Sequence, residues 1–280
     1  MSLTPARGNT SFAVTDSTRR IGSEIKTDVP TLLKGKHAGK IRDLLEERGV
    51  LAFRELGLTD EQQVAFTKTL GTIVDEGENN IYKVTMDSNE NDAAEYLKGA
   101  FFWHIDGTMQ KTPIFASIMS CWRPSPSGGQ TEFANTYAAY DDLPESQKIA
   151  LDELRVVHSF EASQRYVNPE PSYEELRAWR KRAGTSTLPL IWKHRSGRKS
   201  LVLGSTTAYV VGMSPEDSSD LLCRLRDYAT QPRYIYQHEW KPGDLVIWDN
   251  TGTMHRALPY ALDCGRMMHR TKLQGEESFG

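Results

Sequence analysis

The chain reads as mainly β with flanking helices, a β-sandwich or jelly roll with helices packed on its outside. Two observations carry this. From Leu188 onward short extended runs follow one another, separated by Pro/Gly turns, while the helical patterns concentrate in the first half. The 280 residues, 38% hydrophobic and 25% charged, suit one large domain with a real core. We therefore expect a loose N-terminus over 1–15 and a single domain over 16–280.

Taken in order, Leu32–Glu47 has the apolar spacing of a helix, weakened by Gly35 and Gly39, with Ile41, Leu44 and Leu45 on its buried face. Val50–Phe53 is a short apolar run suited to a core strand. Thr59 and Gln62 have the spacing of a capping box, and Gly71 can end the helix they open. Residues 72–100 are polar and acidic and predict a long loop beside the site, a candidate lid. Phe101–Thr108 predicts a strand, favoured by Phe101, Phe102 and Trp103, as do Pro113–Met119 and Gln130–Phe133, with a turn cluster over Pro124–Gly129 between them. Thr136–Leu154 is helical with a break near Pro144. Residues 161–187 lack clean periodicity and predict a partly helical insertion. Strands are then expected at Leu188–Lys193, Ser200–Gly204 and Tyr209–Gly212. Ser214 and Pro215 open a helix as N-cap and N1. Strands follow at Tyr234–Trp240, Asp244–Trp248, Met254–Ala257 and Arg266–Leu273.

Composition excludes several classes. The net charge of −3, with no basic run carrying interleaved aromatics, argues against nucleic acid. No stretch of about 18 apolar residues predicts a membrane span, and Met1–Thr10 has no apolar signal core. Three scattered cysteines form neither a disulfide framework nor a zinc pattern, which fits a reducing, cytoplasmic setting.

Chemistry concentrates in His104-Ile105-Asp106. Side chains two apart on a strand leave from one face, so imidazole and carboxylate would converge. They are two thirds of the facial triad that holds non-haem Fe(II) with open coordination positions. Alone, such a pair is more often simply hydrogen-bonded. His255 lies beyond the strand and polar turn of Asp244–Asn250, whereas His37, His158, His194 and His238 have ordinary structural settings. Arg266 and Arg270 are four apart, so an extended strand would aim both guanidiniums the same way. That arrangement suits carboxylate or other anion recognition.

The ordered set His104-x-Asp106, Thr131 after Gly128-Gly129, Trp248-Asp249-Asn250, His255, Arg266 and Arg270 resembles the taurine dioxygenase/2,4-dichlorophenoxyacetate dioxygenase family. The resemblance runs from about Ile21 to Leu273 and includes the Leu58-Thr59 helix start and Ala138–Leu143. It implies a double-stranded β-helix with a cupin-like core, and an Fe(II)- and 2-oxoglutarate-dependent oxygenase that consumes O2 and releases succinate and CO2. It further implies that His104, Asp106 and His255 bind iron, that Arg266 and Thr131 hold the far carboxylate of 2-oxoglutarate, and that Arg270 meets the substrate's anionic group or supports the cofactor. A carboxylate at position 106 favours hydroxylation over halogenation. Taurine-specific members carry a histidine in the preceding loop and an asparagine four residues before the first metal histidine; here residues 72–103 hold no histidine and that position is Ala100. Ile81, Tyr82, Phe101, Phe102 and Met109 suggest a more apolar pocket. The expected substrate is a small-to-medium organic anion: an aryloxyalkanoate, alkyl sulfate, sulfonate or related carboxylate. Alternatives are a tailoring hydroxylase of an amino-acid-like metabolite and a cupin-like metal protein that does not use 2-oxoglutarate. Related enzymes are dimers or tetramers, so a homo-oligomer is expected.

Overall fold

The computed structural model describes residues 12–279. In chain order, β1 (Ala13–Asp16) and β2 (Ser23–Lys26) form a hairpin, α1 (Val29–Leu33) and α2 (Ala38–Arg48) follow, then β3 (Val50–Phe53), α3 (Asp60–Leu70) and β4 (Tyr82–Val84). A 3₁₀ helix spans Ala94–Phe101, and β5 (Ala116–Arg123), β6 (Thr131–Asn135), α4 (Thr136–Asp141), α5 (Glu145–Leu151), β7 (Arg155–Ser159), α6 (Phe160–Arg165) and α7 (Tyr173–Arg182) come next. The remainder is β8 (Thr185–Pro189), β9 (Ile191–Lys193), β10 (Lys199–Leu201), β11 (Thr207–Val210), α8 (Pro215–Ala229), β12 (Ile235–His238), β13 (Leu245–Asp249), β14 (Thr253–Ala257) and β15 (Met267–Leu273).

A seven-stranded sheet runs β1-β2-β3-β13-β5-β15-β4, and a three-stranded sheet runs β12-β6-β14. Strand alternation decides what each face meets. Leu245 and Ile247 of β13 join Ile41, Leu45, Phe66 and Leu70 in a core under α2 and α3. Their neighbours Val246 and Trp248 turn the other way and join Met119 and Met268 with Phe133 and Tyr236 of the small sheet. The second core is the space between two sheets. A third core lies behind the small sheet, where Met254 and Ala134 pack with Trp192, Leu225 and Tyr234. Each fully buried side chain of this size contributes about 1.5–3 kcal/mol.

Several expectations change. Residues 1–11 lie outside the described residues, but Ala13–Asp16 is not loose; its four residues pair in register with Ser23–Lys26. The helix expected over Leu32–Glu47 is two, because Gly35 takes φ +66°, which ends α1. The loop expected over 72–100 holds β4, paired with β15, and most of the 3₁₀ helix. Residues 161–187 do include helices, α6 and α7, and then feed β8 into a sheet with β7 and β11. The strand expected over Phe101–Thr108 shrinks to a single bridge between His104 and His255. Phe101 still belongs to the 3₁₀ helix, and Gly107 turns the chain at φ +83°. The β-propensity of Phe101-Phe102-Trp103 is overridden because these rings go to different partners. Phe101 meets Tyr260, Phe102 meets Tyr166, and Trp103 enters the third core.

Candidate metal and anion site

The bridge is what assembles the centre. His104 N–H donates to His255 C=O at 3.0 Å and His255 N–H donates to His104 C=O at 2.9 Å, which locks the two backbones face to face. Gly204 makes this possible: at φ +123°, a Cβ there would stand 2.9 Å from His104 Cα. The imidazole centroids are 4.1 Å apart. Asp106 Oδ1 lies 3.8 Å from His104 Nε2. One ligand atom each of His104, Asp106 and His255 lies within 4.8 Å of the others. The two residues of the 104/106 pair thus converge as a strand would require, though a bridge followed by a turn does the work.

Each ligand is oriented. His104 Nδ1 is 2.8 Å from Phe102 C=O. A carbonyl only accepts, so Nδ1 carries the hydrogen and Nε2 keeps a free electron pair. His255, 6% exposed, sits among Trp248, 4.9 Å away, and Phe133, 6.2 Å away. Burial first, then the neighbouring His104, pushes its pKa well below the ordinary histidine value, which keeps it neutral and able to bind a cation. Burial works against ionisation of Asp106. The positive charge beside it, Arg270 foremost and Lys272 with it, outweighs burial and holds the carboxyl well below the usual carboxylate range. Two imidazoles and a carboxylate are the donor set of a mononuclear Fe(II) site, and His255 Nδ1 is buried with no partner among the described residues.

Arg270 stands beside the trio. Its Nη1 is 3.6 Å from Asp106 Oδ2 and its Nη2 is 3.6 Å from Glu76 Oε1. Its guanidinium carbon lies 4.9 Å from the Tyr82 ring centroid. Both carboxylates are beyond good hydrogen-bond distance, and Arg270 Nε is buried without a partner among the described residues. Lys272 follows on the same face of β15 and contacts Glu76 at 2.8 Å. Just before β15, Arg266 is 4% exposed, lies 4.9 Å from the Tyr260 ring centroid, and also has an unpartnered Nε. A Cβ on Gly129 would come 3.4 Å from that Nε. Thr131 Oγ1 accepts from Trp240 Nε1 at 2.9 Å. Ala100 sits half-buried in the 3₁₀ helix, which packs against β14.

Sequence reasoning missed Glu76, Lys272, Tyr260 and Trp240. Lys272 was findable, since it repeats the even spacing of Arg266 and Arg270. Glu76 carried no signal, being one acid in an acidic stretch. The apolar pocket is a partial correction: Ile81 is buried in the fold and Phe102 packs on Tyr166, while the side chains around Arg270 are largely charged.

A buried two-imidazole, one-carboxylate cluster on a β-rich scaffold, beside two arginines whose Nε atoms have no partner among the described residues, defines a metal-dependent enzyme acting with anions. The family model described as "Taurine catabolism dioxygenase TauD, TfdA family" matches residues 13–272, and the chain belongs to that family of α-ketoglutarate-dependent dioxygenases. It is an oxidoreductase using Fe(II), 2-oxoglutarate and O2, which sets aside a cupin-like protein that does not use 2-oxoglutarate. It is similar to the α-ketoglutarate-dependent 2,4-dichlorophenoxyacetate dioxygenase of Burkholderia sp. (strain RASC), with 34% identity over 84% of this chain and 86% of the relative. It is similar also to an alkylsulfatase of Acinetobacter baylyi, with 33% identity over 93% of this chain and 85% of the relative. Among solved structures, AAD-2 in complex with Mn(II) and N-oxalylglycine superposes with a TM-score of 0.83 at 30% identity, covering 96% of this chain and all of the other. No helix among the described residues is long and apolar enough to cross a membrane.

Proposed function

We propose that this enzyme hydroxylates a small-to-medium organic anion, an aryloxyalkanoate or alkyl sulfate before a sulfonate, with His104, Asp106 and His255 holding Fe(II). The observation that carries the reading is the guanidinium of Arg270, which stands 3.6 Å from Asp106 with its Nε unpartnered among the described residues. An arginine so buried calls for an anion, and here that anion would sit beside the metal. Bound iron with 2-oxoglutarate supplies the O2 chemistry, releasing succinate and CO2. The chain's own residues bind and orient. Arg266 and Thr131 take the far carboxylate of 2-oxoglutarate, the His104 tautomer presents Nε2, and Tyr82 lines the substrate side with Ala100 at the loop end. The two facing sheets constitute a jelly roll of the double-stranded β-helix type. Residues 16–280 act as one domain, with 72–100 closing over the site. The three free cysteines fit a cytoplasmic protein, and a homo-oligomer, dimer or tetramer, is the expected assembly.

The test is succinate release with Fe(II) and 2-oxoglutarate across aryloxy acids, sulfate esters, sulfonates and amino acids. Stimulation by none of the anions sinks the reading; taurine as the best substrate refutes the inference from Ala100. Arg270→Ala should raise the substrate KM about 10- to 150-fold, the loss of a charged hydrogen bond of about 1.5–3 kcal/mol, with a smaller effect on 2-oxoglutarate. The opposite split would place Arg270 on the cofactor.

One observation favours the amino-acid-like alternative. Glu76 places a carboxylate beside Arg270, where it suits an ammonium carried next to the substrate's anionic group. On that reading, Glu76→Gln lowers kcat/KM roughly tenfold for amino-bearing anions and leaves aryloxy acids unchanged, an effect of about 1.5 kcal/mol. An unchanged ratio between the two substrate types rejects it.

A further inference from the structure

Trp248-Asp249-Asn250 is the one motif of the chain not yet given a role, and its side chains lead directly to Asp106. The Trp248 indole N–H donates to Asn250 Oδ1 at 3.0 Å, Asn250 Nδ2 donates to Ser117 Oγ at 2.9 Å, and Ser117 Oγ donates to Asp106 Oδ2 at 3.3 Å. Trp248, Asn250 and Ser117 are essentially inaccessible to solvent. Trp248 and Ser117 are register partners on β13 and β5, and Asn250 N–H is anchored on Phe115 C=O two residues before Ser117.

The direction of this chain is forced. An indole nitrogen can only donate, so the Asn250 amide must turn its oxygen to Trp248 and its NH2 to Ser117. Ser117 Oγ, already accepting, has its own hydrogen free, and Asp106 is the acceptor within reach. The two oxygens of Asp106 are thereby made unequal: Oδ2 faces Ser117 and Arg270, while Oδ1 faces His104. The same Trp248 ring packs 4.9 Å from His255, so a single indole braces the ligands contributed by both parts of the chain.

The geometry points to Trp248, Asn250 and Ser117 as a one-way hydrogen-bond relay that positions Asp106, reserving Oδ1 for the metal ion and Oδ2 for Ser117. These are positioning residues, acting through Asp106. The inference rests on the reading of His104, Asp106 and His255 as the metal ligands.

The test is Mn(II) titration by calorimetry with 2-oxoglutarate present, together with the melting temperature of the metal-free protein. Ser117→Ala should weaken Mn(II) binding roughly 10- to 100-fold, the usual loss when a ligand's outer hydrogen-bond partner is removed, without lowering the metal-free melting temperature by more than a few degrees. Trp248→Phe keeps a ring against His255 but deletes the donor, and should weaken binding by a smaller factor. Because both act through one chain of bonds, the double variant should bind no more weakly than Ser117→Ala alone. Wild-type affinity in Ser117→Ala, or losses that multiply in the double variant, overturns the relay. If Ser117→Ala fails to fold, Trp248→Phe alone decides: wild-type Mn(II) affinity in it overturns the relay. His104→Ala separates the two levels. It should abolish binding, and if it does not, the ligand assignment has failed rather than the relay.

Discussion

His255→Ala is expected to remove both metal binding and substrate-driven succinate release, by more than the roughly 100-fold that loss of an outer partner costs. On the proposed reading His255 is one of three ligands and the one delivered by the other part of the chain. Its ring sits among Trp248, Phe133 and His104, and neither Trp248 nor Phe133 offers a metal-binding atom. The stability signature separates loss of the site from loss of the fold. A divalent ion at 100 times its dissociation constant stabilises the native state by about 2.7 kcal/mol. Mn(II) should therefore raise the melting temperature of the wild type, and chelation should reverse the rise. In His255→Ala the melting temperature should no longer respond to Mn(II), although the protein still unfolds cooperatively. A variant that kept the metal response would show that His255 is packed near the centre without serving it.

What could be read in the sequence, and what could not, divides along a physical line. Contacts set by periodicity were legible. The even spacing of Arg270 and Lys272 places both on the face of β15 opposite His269 and Thr271, which turn to Asp60 and Thr67 of α3, whereas Arg266 lies just before the strand. The alternation in β13 likewise separates Leu245 and Ile247 from Val246 and Trp248. Capping chemistry was legible too: Thr59 and Gln62 form the reciprocal box, and Ser214 caps α8. Contacts that depend on where distant segments meet were not. Glu76 reaches Lys272 across 196 positions. Tyr260 finds Arg266 from a turn with no periodic pattern. His104 and Asp106 converge because of one backbone bridge to His255 and a close approach by Gly204, not through the strand their neighbours favour. Local propensity failed there because tertiary pairing outweighs it, and it failed at the candidate metal site, the kind of place where departures from local rules concentrate.

Arg266 should control 2-oxoglutarate and little else. It is nearly inaccessible, it lies against the Tyr260 ring, and its Nε has no partner among the described residues. A buried guanidinium N–H left without a partner is costly, and a bound carboxylate would relieve it through two parallel hydrogen bonds. The Gly128-Gly129 turn, at φ +71° and +75°, lets the backbone pass close to this side chain, so space for the fork is built in. Arg266→Lys keeps the charge but not the fork, and Arg266→Gln loses both. Truncating a buried charged partner costs about 2–5 kcal/mol, which is roughly a 30- to 5,000-fold rise in the KM for 2-oxoglutarate. The lysine variant should fall at the low end and the glutamine variant at the high end. The KM for the anionic substrate should change far less, which is the reverse of the pattern expected from Arg270→Ala. Steady-state kinetics with each co-substrate varied in turn measures both. An unchanged 2-oxoglutarate KM in Arg266→Gln would move the cofactor's far carboxylate to another cation, with Arg270 and Lys272 the two available on the same face of β15.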